Sequence, residues 1–331
     1  MPTAFRSLKI AVCANCYFGF PTTRASNEDL FNYYNHAYTG KAKKATWSSL
    51  LNAFNPYHFD TRALAQMLLA RQYTETAKTD KLLDIGPGLG YTFHTCNRLG
   101  MSMQYFAVEP QQESHPRLQK LGVTIIPRLF GATPLPSLQA HRFKVIVSSH
   151  SLEHFNAEEV PAVLKNIHAL LADDGILVLE VPNEDLYRYS YFSIPHLAFF
   201  SIESLRLALE HAGFDVLFIG SAGETLESLR QQGDKTIKHI ADTHEFTTDH
   251  TTKIQQSEHV EMCLRKTQRA QTRKRFVLEG LSRILPTGIL QRLLNKRAQN
   301  HMPDIYTFLS HAEFQYGPDR DILRCIAKKN K

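Results

Sequence analysis

The chain has 331 residues, 43% hydrophobic, 10% aromatic and 21% charged, which is enough apolar material for a full globular core and excludes a disordered tail or a disulfide miniprotein. Five cysteines, Cys13, Cys16, Cys96, Cys263 and Cys325, make an odd count in a long chain, so reduced thiols are expected rather than a disulfide framework. The net charge of +6 is local: Arg265 to Arg297 holds ten Lys and Arg against the single acid Glu279, so the remainder is mildly acidic and a uniformly basic nucleic-acid coat is excluded.

The opening, MPTAFRSLKIAVCANC, lacks the long apolar run of a secretory signal. The longest apolar stretch, Gly175 to Val181, contains Glu180 and falls far short of the roughly 20 residues a bilayer core demands. A cytoplasmic location is expected. An aromatic-rich stretch from Tyr17 to Tyr57 comes first, followed by a helix over Thr61 to Arg71. Short β-branched runs then alternate with amphipathic stretches, which is the pattern of a parallel sheet covered by helices. The strands predicted are Lys81 to Ile85, Gln104 to Val108, Val123 to Ile126, Phe143 to Ser148, Gly175 to Val181 and Phe214 to Ile219. A helix is expected over Ala157 to Leu171, ending at Asp173-Asp174-Gly175, which reads as an ordinary charged turn. Ser201 is placed to cap another, with Leu205, Ala208, Leu209 and Ala212 as its apolar stripe and Gly213 as its stop. Ala222 to Tyr316 reads as a helical, partly basic region broken at Pro286-Thr287-Gly288, before Ile322 to Ala327 returns to strand character. The division expected is a Cys/Tyr-rich segment over 1–60, an α/β core over 61–221, a helical insertion over 222–316 and a last core strand over 317–331.

The first predicted strand runs into Asp84-Ile85-Gly86-Pro87-Gly88-Leu89-Gly90. Glycines at a strand-to-helix turn let backbone approach a ligand and leave N–H groups for a carboxylate or phosphate. A dinucleotide fingerprint would place its third glycine one residue later, and Asp84 would repel a pyrophosphate while welcoming an ammonium. These residues point to an amino acid joined to a nucleoside. Glu109, 19 residues beyond Gly90 at the end of the second strand, is placed to accept ribose hydroxyls.

This stretch resembles the class I S-adenosylmethionine-dependent methyltransferases, whose glycine loop has the form D-x-G-x-G-x-G. The resemblance implies a doubly wound, mostly parallel seven-stranded α/β sheet with its last strand antiparallel, and S-adenosyl-L-methionine as methyl donor. It implies cofactor contacts from Asp84, Gly86, Gly88, Gly90 and Glu109, and from Ser149 and His150 after the fourth strand. Ser149-His150-Ser151-Leu152-Glu153-His154-Phe155, Val181-Pro182-Asn183 and Pro195-His196-Leu197-Ala198-Phe199-Phe200-Ser201 are similar to a group acting on sugars, glycans and other small metabolites. The Tyr-rich run Phe31 to Tyr38 and the early cysteines belong to the same resemblance, which implies that Tyr34 and Tyr38 close over the cofactor's carboxylate; their other reading is core packing of an N-terminal helix. Two features depart from it. No acid follows the third strand to meet adenine, which leaves backbone groups and Leu129 or Phe130. Cys13-Ala14-Asn15-Cys16 is half a zinc ribbon without its other pair; two thiolates do not complete a tetrahedral site, so buried free thiols are expected and no metal ligands are assigned.

Methyl transfer from a sulfonium is an in-line displacement, so the protein must align the reactants and, for an alcohol, remove a proton. Histidine suits that task. His154 and His196 are the catalytic candidates, each with a second reading as a packed structural residue. His150 and His154 share a face if the turn after Ser149 is helical. No Asp-Pro-Pro-Tyr motif follows the fourth strand, which favours an oxygen or carbon acceptor on a small molecule, sugar or glycan. The alternatives are a module that binds the cofactor without catalysis, or an RNA methyltransferase. Residues 265–297 form either a solvated lid or a peripheral contact with anionic membrane, with nucleic acid ranked last because the aromatics are not interleaved with the charges.

Overall fold

The computed structural model describes residues 10–22, 24–32, 61–184, 196–225, 227, 312–317 and 320–330. Tyr34, Tyr38, the loop before His196, Cys263 and the basic stretch 265–297 lie outside the described residues. A short antiparallel hairpin, β1 (Ile10–Val12) and β2 (Gly19–Pro21), comes first. It is followed by α1 (Asn27–Asn32) and α2 (Thr61–Ala70). The core then runs β3 (Lys81–Ile85), α3 (Tyr91–Arg98), β4 (Gln104–Val108), α4 (His115–Lys120), β5 (Thr124–Ile126), α5 (Pro136–Gln139), β6 (Phe143–Ser149), α6 (Val160–Leu170), β7 (Leu171–Pro182), α7 (Ile202–His211), β8 (Phe214–Thr225) and β9 (Arg320–Lys329).

The last seven strands form one sheet in the order β5-β4-β3-β6-β7-β9-β8. The pairs from β5 to β7 are parallel, and β9 runs antiparallel between β7 and β8. The expected seven-stranded doubly wound sheet is therefore present. Side chains alternate between its faces. Leu83, Ile85, Phe106, Ile146 and Leu177 pack with Val163, Leu164 and Ile167 of α6 and Leu205 and Leu209 of α7. On the other face, Leu82, Tyr105, Val145, Val147 and Val178 pack with Met67 of α2 and Phe93 of α3. Burial on both faces is what a near-continuous apolar strand requires.

The strand order reverses between β3 and β6, and open α/β sheets bind ligands outside the carboxyl ends of their strands at such a point. The loops after β3, β4 and β6 meet there.

Three local readings are corrected. Strand β8 continues to Thr225 because it stays paired with β9 up to Arg320, so residues 222–225 belong to the sheet and not to the helical insertion. Asp173 and Asp174 sit in the bulged start of β7, near Lys329 (3.6 Å) and Lys144 (2.5 Å), rather than in a free turn. Cys13 and Cys16 are free thiols but only half-buried, because the hairpin that carries them packs at the surface.

Ser201 caps α7 as the sequence predicts. Its Oγ accepts from Ser204 N–H at 3.0 Å, and its own N–H donates to Ser204 Oγ at 2.8 Å. The same hydroxyl lies 2.7 Å from Cys16 O, tying the hairpin to the helix. Ser201→Ala is expected to cost about 1 kcal/mol of stability by urea denaturation, and a change below about 0.3 kcal/mol would show the cap to be dispensable.

Candidate active site

Gly86, Gly88 and Gly90 have φ of 75°, 53° and 75°, left-handed values that side chains with a Cβ rarely adopt. The two that matter for a ligand differ in what surrounds them. A Cβ on Gly86 would stand 2.5 Å from Ser151 Oγ, whereas one on Gly88 would meet nothing within 4 Å. Gly86 therefore packs against protein, and Gly88 borders open space. Glu109, buried at the tip of β4, accepts from Gly88 N–H and from Gln111 N–H, each at 2.8 Å. Burial raises its pKa, and the two N–H donors oppose that rise. Each oxygen keeps a lone pair for a further donor, which is what a ribose diol offers.

Asp84 is buried beneath the loop. Burial pushes its carboxyl up to about 7, against the stabilising Thr92 hydroxyl and with added repulsion from Glu109. Its folded pKa lies above the unfolded one, so the neutral form is the one the fold favours. The contribution to stability is complete below pH 3.8 and is lost as pH rises towards 7. Asp84→Asn is therefore expected to stabilise the ligand-free protein at pH 8 by on the order of 2–4 kcal/mol and to give no gain near pH 4, read from urea melts. An equal effect at both pH values would show that Asp84 is not under this strain. A buried carboxyl that a ligand's ammonium would ionise, an open glycine and a carboxylate with spare lone pairs fit an amino-acid nucleoside such as S-adenosylmethionine.

The loop after β6 departs from the sequence reading. Ser149 Oγ accepts from Gln66 Nε2 of α2 at 2.8 Å. His150 has φ of 52°, its N–H donates to Glu180 O at 2.9 Å, and a short 3-10 turn covers Leu152–His154. His150 and His154 thus do not share a helical face. Instead they flank the buried Glu153: His150 Nδ1 lies 3.3 Å from Glu153 Oε1, and His154 Nε2 lies 3.9 Å from the same atom. His150 Nε2 is also 3.3 Å from Glu180 Oε1. Burial alone would lower the pKa of His150, but the two carboxylates outweigh it and raise it to about 9. Burial would likewise raise Glu153, yet the imidazoles bring it to about 2.

His196 is buried, its ring 5.0 Å from that of His154 at 69°. Burial lowers its pKa to about 4. Two N–H groups, of Leu197 at 2.7 Å and Ala198 at 3.1 Å, donate to Glu153 O and pin this loop to the 3-10 turn. The structure thus brings both catalytic candidates together at Glu153.

Three contributors escaped the sequence reading. Ser151 Oγ donates to Ile85 O at 2.6 Å and braces the glycine loop. Glu153 has no role in the sequence beyond its place in the run Ser149 to Phe155. The third is a charged group crossing the sheet: Glu180 and Arg324, both fully buried, are direct register partners in β7 and β9 with Oε2 and Nε 2.6 Å apart. Arg62 Nε lies 3.2 Å from Glu180 Oε1, and Arg324 also reaches Glu313 O at 2.8 Å and Tyr316 OH at 3.1 Å. Residues 312–317, at the end of the insertion, are thereby tied to the sheet beneath His150.

Residues 56–218 match a family model described as a methyltransferase domain. No protein with a curated description matches. Similar solved structures include a SAM-dependent methyltransferase from Archaeoglobus fulgidus, at 17% identity over 81% of this chain and 94% of that one with a TM-score of 0.44. A TehB-like SAM-dependent methyltransferase from Corynebacterium glutamicum is 16% identical over 56% and 88%, with a TM-score of 0.41. The glycopeptide N-methyltransferase MtfA, solved with S-adenosylmethionine, is 12% identical over 49% and 86%, with a TM-score of 0.39. Among the described residues no helix is long and apolar enough to cross a membrane. The family match, the antiparallel penultimate position of β9 and the glycine loop beside Glu109 identify residues 56–218, with the returning strand β9, as a methyltransferase domain of the class I S-adenosylmethionine-dependent kind.

Proposed function

We propose that the chain methylates an oxygen or carbon atom of a small-molecule, sugar or glycan acceptor, with Asp84, Gly86, Gly88, Gly90 and Glu109 seating the cofactor and His154 and His196 serving the acceptor. The observation that carries this reading is the convergence of His154 and His196 on Glu153 at the carboxyl ends of the strands, on the loop next to the glycine turn. S-adenosylmethionine supplies, when bound, a methyl group made electrophilic by its sulfonium. Glu109 orients the ribose while holding the glycine loop through Gly88 N–H. Ser149 and His150 line the methionine end; because the His150 N–H is taken by Glu180 O, His150 contributes through its ring and carbonyl. His154 and His196 stand where an acceptor hydroxyl would lose its proton. The apolar wall Leu197 to Phe200, buried and joined to the hairpin through Gly19 and Phe199, excludes water from that side.

The experiment is incubation of cell extract with purified protein and isotopically labelled S-adenosylmethionine, followed by identification of the labelled product. A labelled glycoside or other small metabolite is the expected result. Label confined to RNA or to protein amides would overturn the acceptor class.

A further inference from the structure

We propose that Glu153, His154 and His196 form the binding site for one divalent transition-metal ion, of the zinc or manganese type, which ligates a hydroxyl oxygen of the acceptor. One ligand atom from each of the three residues lies within 4.8 Å of the others. Ligands bound at roughly 2.0–2.2 Å stand about 3.5 Å apart around a tetrahedral ion, so shifts of about an ångström close the set. One carboxylate and two imidazoles match the donor type of catalytic zinc and of two-His-one-carboxylate sites, both of which keep open positions for water or substrate.

The surroundings fit a ligand set better than plain packing. Glu153 is buried, and neither of its oxygens accepts a well-formed hydrogen bond among the described residues. A buried carboxylate is expected to be paired and hydrogen-bonded. The His150 ring at 3.3 Å would serve as one partner by itself, yet two more imidazoles converge on the same group from planes 69° apart. The backbone fixes that convergence, since Glu153 O holds the N–H groups of Leu197 and Ala198 next to His196. His150, between Glu153 and Glu180, is then a positioning residue behind the carboxylate.

The role given to the ion rests on the methyl-transfer reading above and narrows it. A Lewis acid at this place lowers the pKa of a coordinated hydroxyl, whose proton then passes to water while His154 and His196 hold the ion instead of taking the proton themselves, which makes oxygen rather than carbon the acceptor atom.

The test uses the full chain carrying Cys13→Ser and Cys16→Ser, so that the hairpin thiols do not compete. After chelator treatment and dialysis against zinc, one equivalent is expected by elemental analysis. Calorimetric zinc affinity is expected to fall by at least about 100-fold in Glu153→Gln and in His196→Gln, and by about 10- to 100-fold in His150→Gln. Binding of S-adenosylhomocysteine, held by other residues, should stay within about threefold in Glu153→Gln and in His196→Gln and so reports folding. Cobalt loading of the same full chain gives a second readout that needs none of the ligand variants: nitrogen and oxygen ligation is expected, without sulfur charge-transfer bands. The proposal is overturned if no zinc remains after dialysis, if both ligand variants keep the parent affinity, or if cobalt shows sulfur ligation. Zinc without S-adenosylhomocysteine binding would instead sink the methyl-transfer reading and leave the metal site standing.

Discussion

Arg324→Met is expected to destabilise the protein by about 3–5 kcal/mol, because it leaves Glu180 charged in the middle of the sheet. The Coulombic attraction of Arg324 holds the Glu180 carboxyl far below the usual carboxylate range despite complete burial, and Arg324 is correspondingly held charged. Arg62 and His150 remain near Glu180 Oε1 in the variant, at 3.2 and 3.3 Å, but Oε2 loses its 2.6 Å partner. Replacing both partners by apolar residues, Glu180→Leu with Arg324→Met, should cost less than Arg324→Met alone, since no buried charge is then stranded between the two strands. Urea denaturation of both variants checks this. A single-variant loss below about 1 kcal/mol would mean that the pair is solvated and adds little.

Glu109→Ala is expected to weaken S-adenosylhomocysteine binding by more than about 100-fold, since two hydrogen bonds to a charged acceptor contribute on the order of 3–5 kcal/mol together. The loss has two parts. The ribose loses its acceptor, and Gly88 N–H loses the 2.8 Å contact that fixes the loop. Gly88→Val should be as damaging by another route, because its side chain enters the open space beside the loop and its backbone must hold φ of 53°. Calorimetry on both variants is the check, with unchanged thermal unfolding of Glu109→Ala separating lost binding from lost fold. Parent-like affinity in both would remove the cofactor from this seat.

What could be read from the sequence was local. The glycine turn, Glu109 and the Ser201 cap are each specified within a few residues of the element they serve: the turn follows β3, Glu109 follows β4 and Ser201 caps α7. The strands were legible for the same reason: β3 and β4 have the predicted bounds, β6 is longer by one residue and β9 by two at each end. What was not legible depends on register and on a single backbone angle. Glu180 and Arg324 are 144 residues apart and meet only because β9 returns antiparallel against β7. Glu153 stands between two imidazoles only because the left-handed turn at His150 sets one on either side of it. Its third neighbour, His196, arrives from a loop whose attachment is made by backbone N–H groups, and side-chain types do not encode that.

The most direct measurement is a crystal structure of the full chain grown with S-adenosylhomocysteine. The expected result is a nucleoside whose ribose hydroxyls rest on Glu109, with its homocysteine end against the glycine turn and its sulfur facing His154 and His196. Density for that nucleoside at any other place, or a turn whose open side at Gly88 is filled by the protein itself, would contradict the assignment.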